Sequence, residues 1–520
     1  MRAAFVLVLV ACGSREADPP ARVTATPPVR VATAEATSTI AAADYIGPER
    51  CAECHADQHA AWSKSWHRVM NAQADATAVI GDFRGVTLGY AGGQVTFGAG
   101  PTMTVVKDGR RVRYRVTRTI GKRALQEYVG VEEGGDGTEV RLPFAWWPAL
   151  GGWYPQPYFD PWLAEEAFDA YAPVREPWAE RCPWCHSTYP FAQRIARASS
   201  RPVGHGFEQH FTSAPGTDTL DVGQQVTVGI SCESCHLGGR AHADGAPIHL
   251  VPIGATARDG APVPTTFAAE RGDARIVNTT CAQCHSGPSP RLADGTALRN
   301  SSEALDLAAS SCTTARCVDC HDPHRGGVDE SRAIAACTGC HAAVASAGRA
   351  HSGHDGATCL DCHMPRVVMG IDRFVRTHRI SSPTDARVLA TAGPNACNLC
   401  HLDRSIAWTV DELSREHDVT LDASTWTAYR DVDLPVGDVW LASDEPALRL
   451  IAAAAYARVP ALAPFALDAL TAPGRGLDDP LAHVRAYTLL SLEQILGRRP
   501  AYDPRAPADV RRRQLRALRR

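Results

Sequence analysis

Cys51-Ala52-Glu53-Cys54-His55 is the first of eight copies of one pentapeptide, Cys-x-x-Cys-His. The others are Cys182-Pro183-Trp184-Cys185-His186, Cys232-Glu233-Ser234-Cys235-His236, Cys281-Ala282-Gln283-Cys284-His285, Cys317-Val318-Asp319-Cys320-His321, Cys337-Thr338-Gly339-Cys340-His341, Cys359-Leu360-Asp361-Cys362-His363 and Cys397-Asn398-Leu399-Cys400-His401. Each is an attachment pattern for c-type haem. Two thiols form thioethers to the porphyrin vinyl groups, and the adjacent imidazole takes the iron from the proximal side. With 18 cysteines and 20 histidines in 520 residues, chance predicts roughly 0.02 copies. Zinc ribbons also use Cys-x-x-Cys, but zinc does not require a histidine directly after every second cysteine. The expectation is eight covalently bound haem c, numbered I to VIII in chain order. The motif cysteines are then thioether donors, and His55, His186, His236, His285, His321, His341, His363 and His401 are proximal ligands.

Outside the motifs only Cys12 and Cys312 remain, too few for a disulfide framework. Cys312 has no assigned role. The net charge of −4 and the lack of a basic stripe argue against a nucleic-acid partner.

Arg2 precedes the apolar run Ala3 to Ala11, which is too short to span a bilayer. Leu9-Val10-Ala11-Cys12 resembles a lipobox. The expectation is a lipoprotein signal peptide over 1–12, with Cys12 acylated and anchoring the chain. Gly13-Ser14, with no Asp after the cysteine, resembles the outer-membrane sorting pattern. This places the chain on the periplasmic side, lipid-anchored, in the outer membrane of a Gram-negative bacterium. Residues 13–43, rich in Ala, Thr, Pro and Val, form a flexible linker.

The haem I segment spans 44–79, with a helix expected over Asp57–Met70. His59 is expected on its surface, and His67 is free to reach an iron. Residues 80–145 contain no cysteine. Alternation in Gln94–Phe97, Thr102–Val106, Arg111–Val116 and Glu139–Leu142, with the break Lys107-Asp108-Gly109-Arg110, indicates a β-rich insert of hairpins. Phe144, Trp146, Trp147, Trp153, Tyr154, Tyr158, Phe159, Trp162, Phe168, Tyr171 and Trp178 are expected to wall haem pockets. Residues 146–408 form the haem II–VIII domain. So much porphyrin on so little chain must itself supply much of the core, and neighbouring haems must lie close. Haem I stands apart in sequence, while motifs V to VII crowd together. An isolated haem at one end is where electrons would enter or an open site would lie.

Residues 409–520 are expected to form a C-terminal helical domain. A helix covers Ser405–Arg415. Asp444-Glu445-Pro446 before Leu448–Tyr456, and Asp478-Asp479-Pro480 before Val484–Leu496, make a loose HEAT-like repeat. Arg511–Arg520 is expected to fray.

Twelve histidines are not proximal. His417 and His483 lie in the haem-free tail and are structural. If each close pair, His205/His210, His242/His249 and His351/His354, supplies one ligand, the distal set is His67, one of His205 and His210, His242, His324, one of His351 and His354, and His378. Six distal ligands for eight haems leave room for an open iron.

Tyr45-Ile46-Gly47 leading into Cys51–His55, then Trp62-x-x-Ser65-x-His67, resembles the start of the cytochrome c-554-like multihaem proteins. Cys232 to His242 is similar to their CxxCHGPGxxH element, which implies that His242 is a distal ligand to another haem. Cys317–His324 resembles CxxCHDPH. Cys359–Pro365 resembles CxxCHMP, followed by Arg376-Thr377-His378. Pro394–Asp403 and Trp408 complete the resemblance over about residues 44–408. The resemblance places the chain near the octahaem hydroxylamine oxidoreductases and pentahaem nitrite reductases. The latter mark the active haem with Lys in place of the proximal His, whereas all eight motifs here carry His.

The chain is thus expected to be mainly α, with short helices and long loops around haems, a β-rich insert after haem I and a helical HEAT-like tail. It is expected to pass electrons between periplasmic or membrane redox proteins through mostly bis-His haems. The alternative is a multihaem oxidoreductase acting on a small inorganic nitrogen or sulfur compound, such as nitrite, hydroxylamine or tetrathionate, at one open haem.

Overall fold

A computed structural model describes residues 42–156, 177–190, 211–212, 222–252, 255–287, 289–426, 428–429 and 431–519. Cys12, His205, His210, Tyr158, Phe159, Trp162, Phe168 and Tyr171 lie outside the described residues, as do the expected signal peptide and nearly all of the linker.

The chain is largely helical, and most helices are short. Pro48–Ala52 carries the first cysteine of motif I, and Ala56–Trp62 follows. The expected helix over Asp57–Met70 therefore ends a turn and a half into its span. Beyond Trp62 the chain turns, with Ser65 N–H on the Trp62 carbonyl and Met70 N–H on that of His67. The indole of Trp62 is buried and donates to the Ile230 carbonyl at 2.7 Å. That long-range anchor ends the helix and carries His67 off its axis.

Residues 72–141 form a seven-stranded antiparallel sheet: β1 Ala72–Gln73, β2 Val86–Tyr90, β3 Gly93–Gly98, β4 Thr102–Lys107, β5 Arg110–Ile120, β6 Glu127–Glu132 and β7 Glu139–Arg141. Strands β2 to β7 pair in order, and β1 joins β5. Asp108 (φ 50°) and Gly109 (φ 76°) turn β4 into β5. Two successive positive φ values match the right-handed twist of a two-residue hairpin. Val112, Tyr114 and Val116 alternate inward along β5.

The aromatic run after the sheet does not wall haem pockets as a set. Trp153 stacks on Phe97 at 3.7 Å, and Phe144 meets Phe97 edge-on. Both belong to the core of the sheet. Trp147 turns the other way, onto Tyr487 of the tail at 5.5 Å. Strands β8 Phe144–Trp147 and β9 Gly152–Pro155 point successive side chains to opposite faces, so one run serves two cores.

The tail has helices at Ile406–His417, Pro446–Tyr456, Ala463–Thr471, Ala482–Leu496 and Ala508–Leu518. Ser405 caps the first, accepting Trp408 N–H at 3.1 Å. Arg449, on the second, bonds the fully buried Asp479 at 2.7 Å, which ties the two similar segments together. The last helix is not frayed over its described length, because Leu515 docks into the tail's core. Tyr487 Oη donates to the Ile371 carbonyl at 2.9 Å, and Arg505 to the Trp153 carbonyl at 2.6 Å. The tail thus braces both the motif region and the sheet. Among the described residues no single helix is long and apolar enough to cross a membrane.

Candidate haem-binding histidine pairs

Each motif closes one helical turn. The His N–H reaches the first cysteine's carbonyl at 2.9 Å in motifs I, III, V and VI, and at 3.0 Å in VIII. Residues i, i+3 and i+4 share a helix face, so both thiols and the imidazole project on one side.

Six motif imidazoles face a second imidazole. The ring centroids are 6.0 Å apart for His55–His242, 6.4 Å for His67–His285 and 6.3 Å for His236–His324. They are 6.0 Å for His321–His378, 6.2 Å for His351–His363 and 6.0 Å for His354–His401. Two imidazoles on opposite sides of one metal, each bonded at about 2 Å, place their centroids about 6 Å apart. The donor set and its spacing therefore fit an iron held between two histidines. Among the described residues no group of three or more His, Cys, Asp and Glu is arranged to hold a free metal ion.

Burial holds His67, His236 and His378 down to about 4, with neighbouring imidazoles adding to the effect. They are thus neutral at physiological pH, the form that binds metal. His285 behaves oppositely. Burial works against its charge, but the bond to Glu303 outweighs burial and lifts it to about 9.

His351 and His354 face different motifs, so this close pair sets two imidazoles, not the expected one, opposite motif histidines. Gly348 (φ 51°) and Gly353 (φ 71°) break the backbone around them, so their side chains need not share a direction. His59 is half-buried rather than a surface residue. It packs on Trp62 at 5.2 Å, with its Nε2 buried. His249 pairs with no motif imidazole; its Nδ1 bonds Glu270 at 2.7 Å. His417 is exposed and His483 buried in the tail. His186 is half-buried beside Trp178, with Nδ1 3.3 Å from the Met70 carbonyl. His341 is exposed. Among the described residues no imidazole stands opposite His186 or His341.

Haem I is not isolated in space. Glu233, inside motif III, accepts Ile46 N–H at 3.0 Å, Gly47 N–H at 2.8 Å and Gly239 N–H at 2.8 Å. The Cys51 and Cys232 thiols are in hydrogen-bond contact. The sheet loops out between motifs I and II, and its ends return to the same place. Other motifs adjoin in turn. Cys281 hydrogen-bonds Cys317 and interacts with Cys235. Cys337 interacts with both Cys320 and Cys359, and Cys362 with both Cys397 and Cys400. The order of neighbouring motifs is I–III–IV–V–VI–VII–VIII. Motif II joins from the side, through Trp184 Nε1 on the Gln283 carbonyl at 3.2 Å and Thr188 Oγ1 against Ser234 Oγ at 2.9 Å.

Two polar supports carried no motif signal. Glu303 sits behind His285, and Arg376 bonds Glu330 at 2.8 Å and Asp361 at 2.8 Å. Each is a single charged residue distant in sequence from its partner, and no spacing rule marks it.

Residues 346–432 match the family model of cytochrome c552, a span that includes motifs VII and VIII with His351 and His354. No curated protein matches the chain. Among solved structures the outer cell wall cytochrome OcwA is similar, at 17% identity and a TM-score of 0.38, covering 92% of this chain and 99% of its own.

Proposed function

We propose that this chain is a multihaem cytochrome c, an octahaem electron conduit whose motifs hand electrons along the order I–III–IV–V–VI–VII–VIII, with II as a side branch. Covalently bound haem c supplies one-electron redox chemistry. The chain's own residues hold the array: the motif cysteines fix the macrocycles, and the proximal histidines with His67, His242, His324, His351, His354 and His378 hold the irons from both sides. The observation that carries this is the six facing imidazole pairs, distributed along one line of touching motifs. Bis-His ligation favours low potentials over His/Met ligation and leaves no position for a substrate, which suits transfer.

The lipobox at Cys12 supports anchoring on the periplasmic side of an outer membrane, with periplasmic or membrane redox proteins as partners. The paired helices around Arg449 and Asp479 support a HEAT-like cap.

Two measurements test the reading. The intact mass of holoprotein should exceed that of the chain by eight haem groups, and a smaller increment overturns the count. Electron paramagnetic resonance should be dominated by low-spin iron. The second reading, reduction of a small nitrogen or sulfur compound, is favoured by the exposure of His341. A high-spin signal shifted by nitrite or hydroxylamine would establish it over simple transfer.

A further inference from the structure

The partner of Nδ1 sets how basic an axial imidazole is. Nδ1 of His242, His354 and His363 donates to the carbonyls of Ala246, Ser352 and Ser381, at 2.8, 2.6 and 2.8 Å. Nδ1 of His236 is buried and has no partner among the described residues. His285 differs from all of these, because its Nδ1 donates to Oε2 of Glu303 at 3.0 Å. The other carboxylate oxygen, Oε1, accepts Ser301 N–H at 2.8 Å. Ser301 has φ 75°, a left-handed conformation that costs an L-residue energy. The Ser301 carbonyl accepts Gly287 N–H at 2.7 Å, and Ser302 Oγ donates to the Gly287 carbonyl at 2.6 Å. Gly287 lies two residues after His285. The segment therefore closes on itself in a way that fixes the carboxylate behind this one imidazole.

We infer that Glu303 is a positioning residue that lowers the reduction potential of the iron held by His67 and His285, so that haem IV is the low-potential station beside haem III. This rests on the proposed reading of those histidines as axial ligands. A carboxylate accepting Nδ1–H gives the imidazole imidazolate character, and an electron-rich ligand stabilises ferric over ferrous iron. His236 has no acceptor on Nδ1, and the Asp322 carboxylate beside its facing His324 stands 3.8 Å from that Nδ1, beyond hydrogen-bond reach, which leaves haem III higher. Glu303 also interacts with His378, which faces His321 of motif V, a weaker effect in the same direction. An electron reaching haem IV then passes on rather than resting where motif II joins the line.

The geometry supplies its own label for the test. The rings of His67 and His285 are crossed at 71°. The pairs at His55, His236, His321 and His363 lie between 4° and 21°, and His354–His401 at 45°. Ferric iron between crossed imidazoles gives a highly anisotropic, large-g low-spin signal, whereas near-parallel planes give a rhombic one. The large-g signal is followed during a redox titration of full-length holoprotein, in wild type, Glu303→Gln and Glu303→Asp. Expected in Glu303→Gln is a rise in its midpoint equivalent to at least a tenfold change in the oxidised-to-reduced ratio, about 59 mV for one electron. Glu303→Asp should recover most of that shift, and the rhombic signals should move less. A large-g signal whose midpoint is the same in all three proteins overturns the inference while leaving the ligand pair standing. Its absence from wild type overturns the His67–His285 pair, and the inference with it. Should Glu303→Gln fail to accumulate as holoprotein, Glu303→Asp alone must still show a smaller upward shift, and an unmoved midpoint there overturns the inference.

Discussion

His351 and His354 sit on one short turn yet face imidazoles of different motifs, His351 facing His363 at 6.2 Å and His354 facing His401 at 6.0 Å. One local segment thereby joins motifs VII and VIII, and each histidine should be separable by mutation. His351→Ala and His354→Ala are each expected to convert one low-spin iron to high spin, and the double variant two. Quantitative electron paramagnetic resonance checks this. A single variant that converted two irons would break the assignment.

Carbon monoxide binds ferrous iron only where a coordination position is open. Titration of the reduced protein should therefore give no more than two ligands per chain, the candidates being the irons on His186 and His341. A larger stoichiometry would contradict the six pairs. No binding at all would remove the position that catalysis on a small substrate requires.

Arg376, with 10% of its side chain exposed, holds Glu330 and Asp361 and so ties the helix before motif VI to motif VII. Both carboxylates remain partly exposed, which discounts the pairing. Arg376→Ala is expected to cost about 1–3 kcal/mol. The Arg376 hydrogen bond draws Glu330 below the ordinary carboxylate range; at Asp361 burial opposes such a fall, but its hydrogen bonds outweigh burial. The unfolded chain therefore takes up protons first as pH falls. The stabilisation is full above the ordinary carboxylate range and is lost as pH drops through the folded values. Thermal unfolding against pH should show a shallower acid loss in Arg376→Ala than in wild type, and parallel curves would refute the coupling.

Asp479 is fully buried, and Arg449 has 10% of its side chain exposed. Asp479→Ala leaves the guanidinium buried without its anion, which should cost about 3–5 kcal/mol. The haem spectrum should be unchanged at temperatures where the variant stays folded, because the pair lies among tail helices. Calorimetry with parallel optical spectra tests both statements.

The repeated pentapeptide was legible in full, because two thiols and an imidazole within one helical turn form a local pattern that needs no tertiary information. The hairpin at Asp108-Gly109 and the helix from Ser405 were legible for the same reason, since a turn is set by local φ preference and a helix start by nearby residues. Pairing was not legible. His55 meets His242, and His67 meets His285, across distances in sequence that no periodicity spans. The helix after motif I stops where Trp62 finds the Ile230 carbonyl, a partner far along the chain. The aromatic run from Phe144 divided between two cores because strand alternation only has meaning once both neighbours are in place. The sequence alone thus marked the eight motifs and the donors each of them offers to haem c. The tertiary structure decided which histidines oppose one another, that motif I closes on motif III, and that Glu303 stands behind His285. Those relations depend on long-range contacts, whose entropic cost is met only by the packed whole.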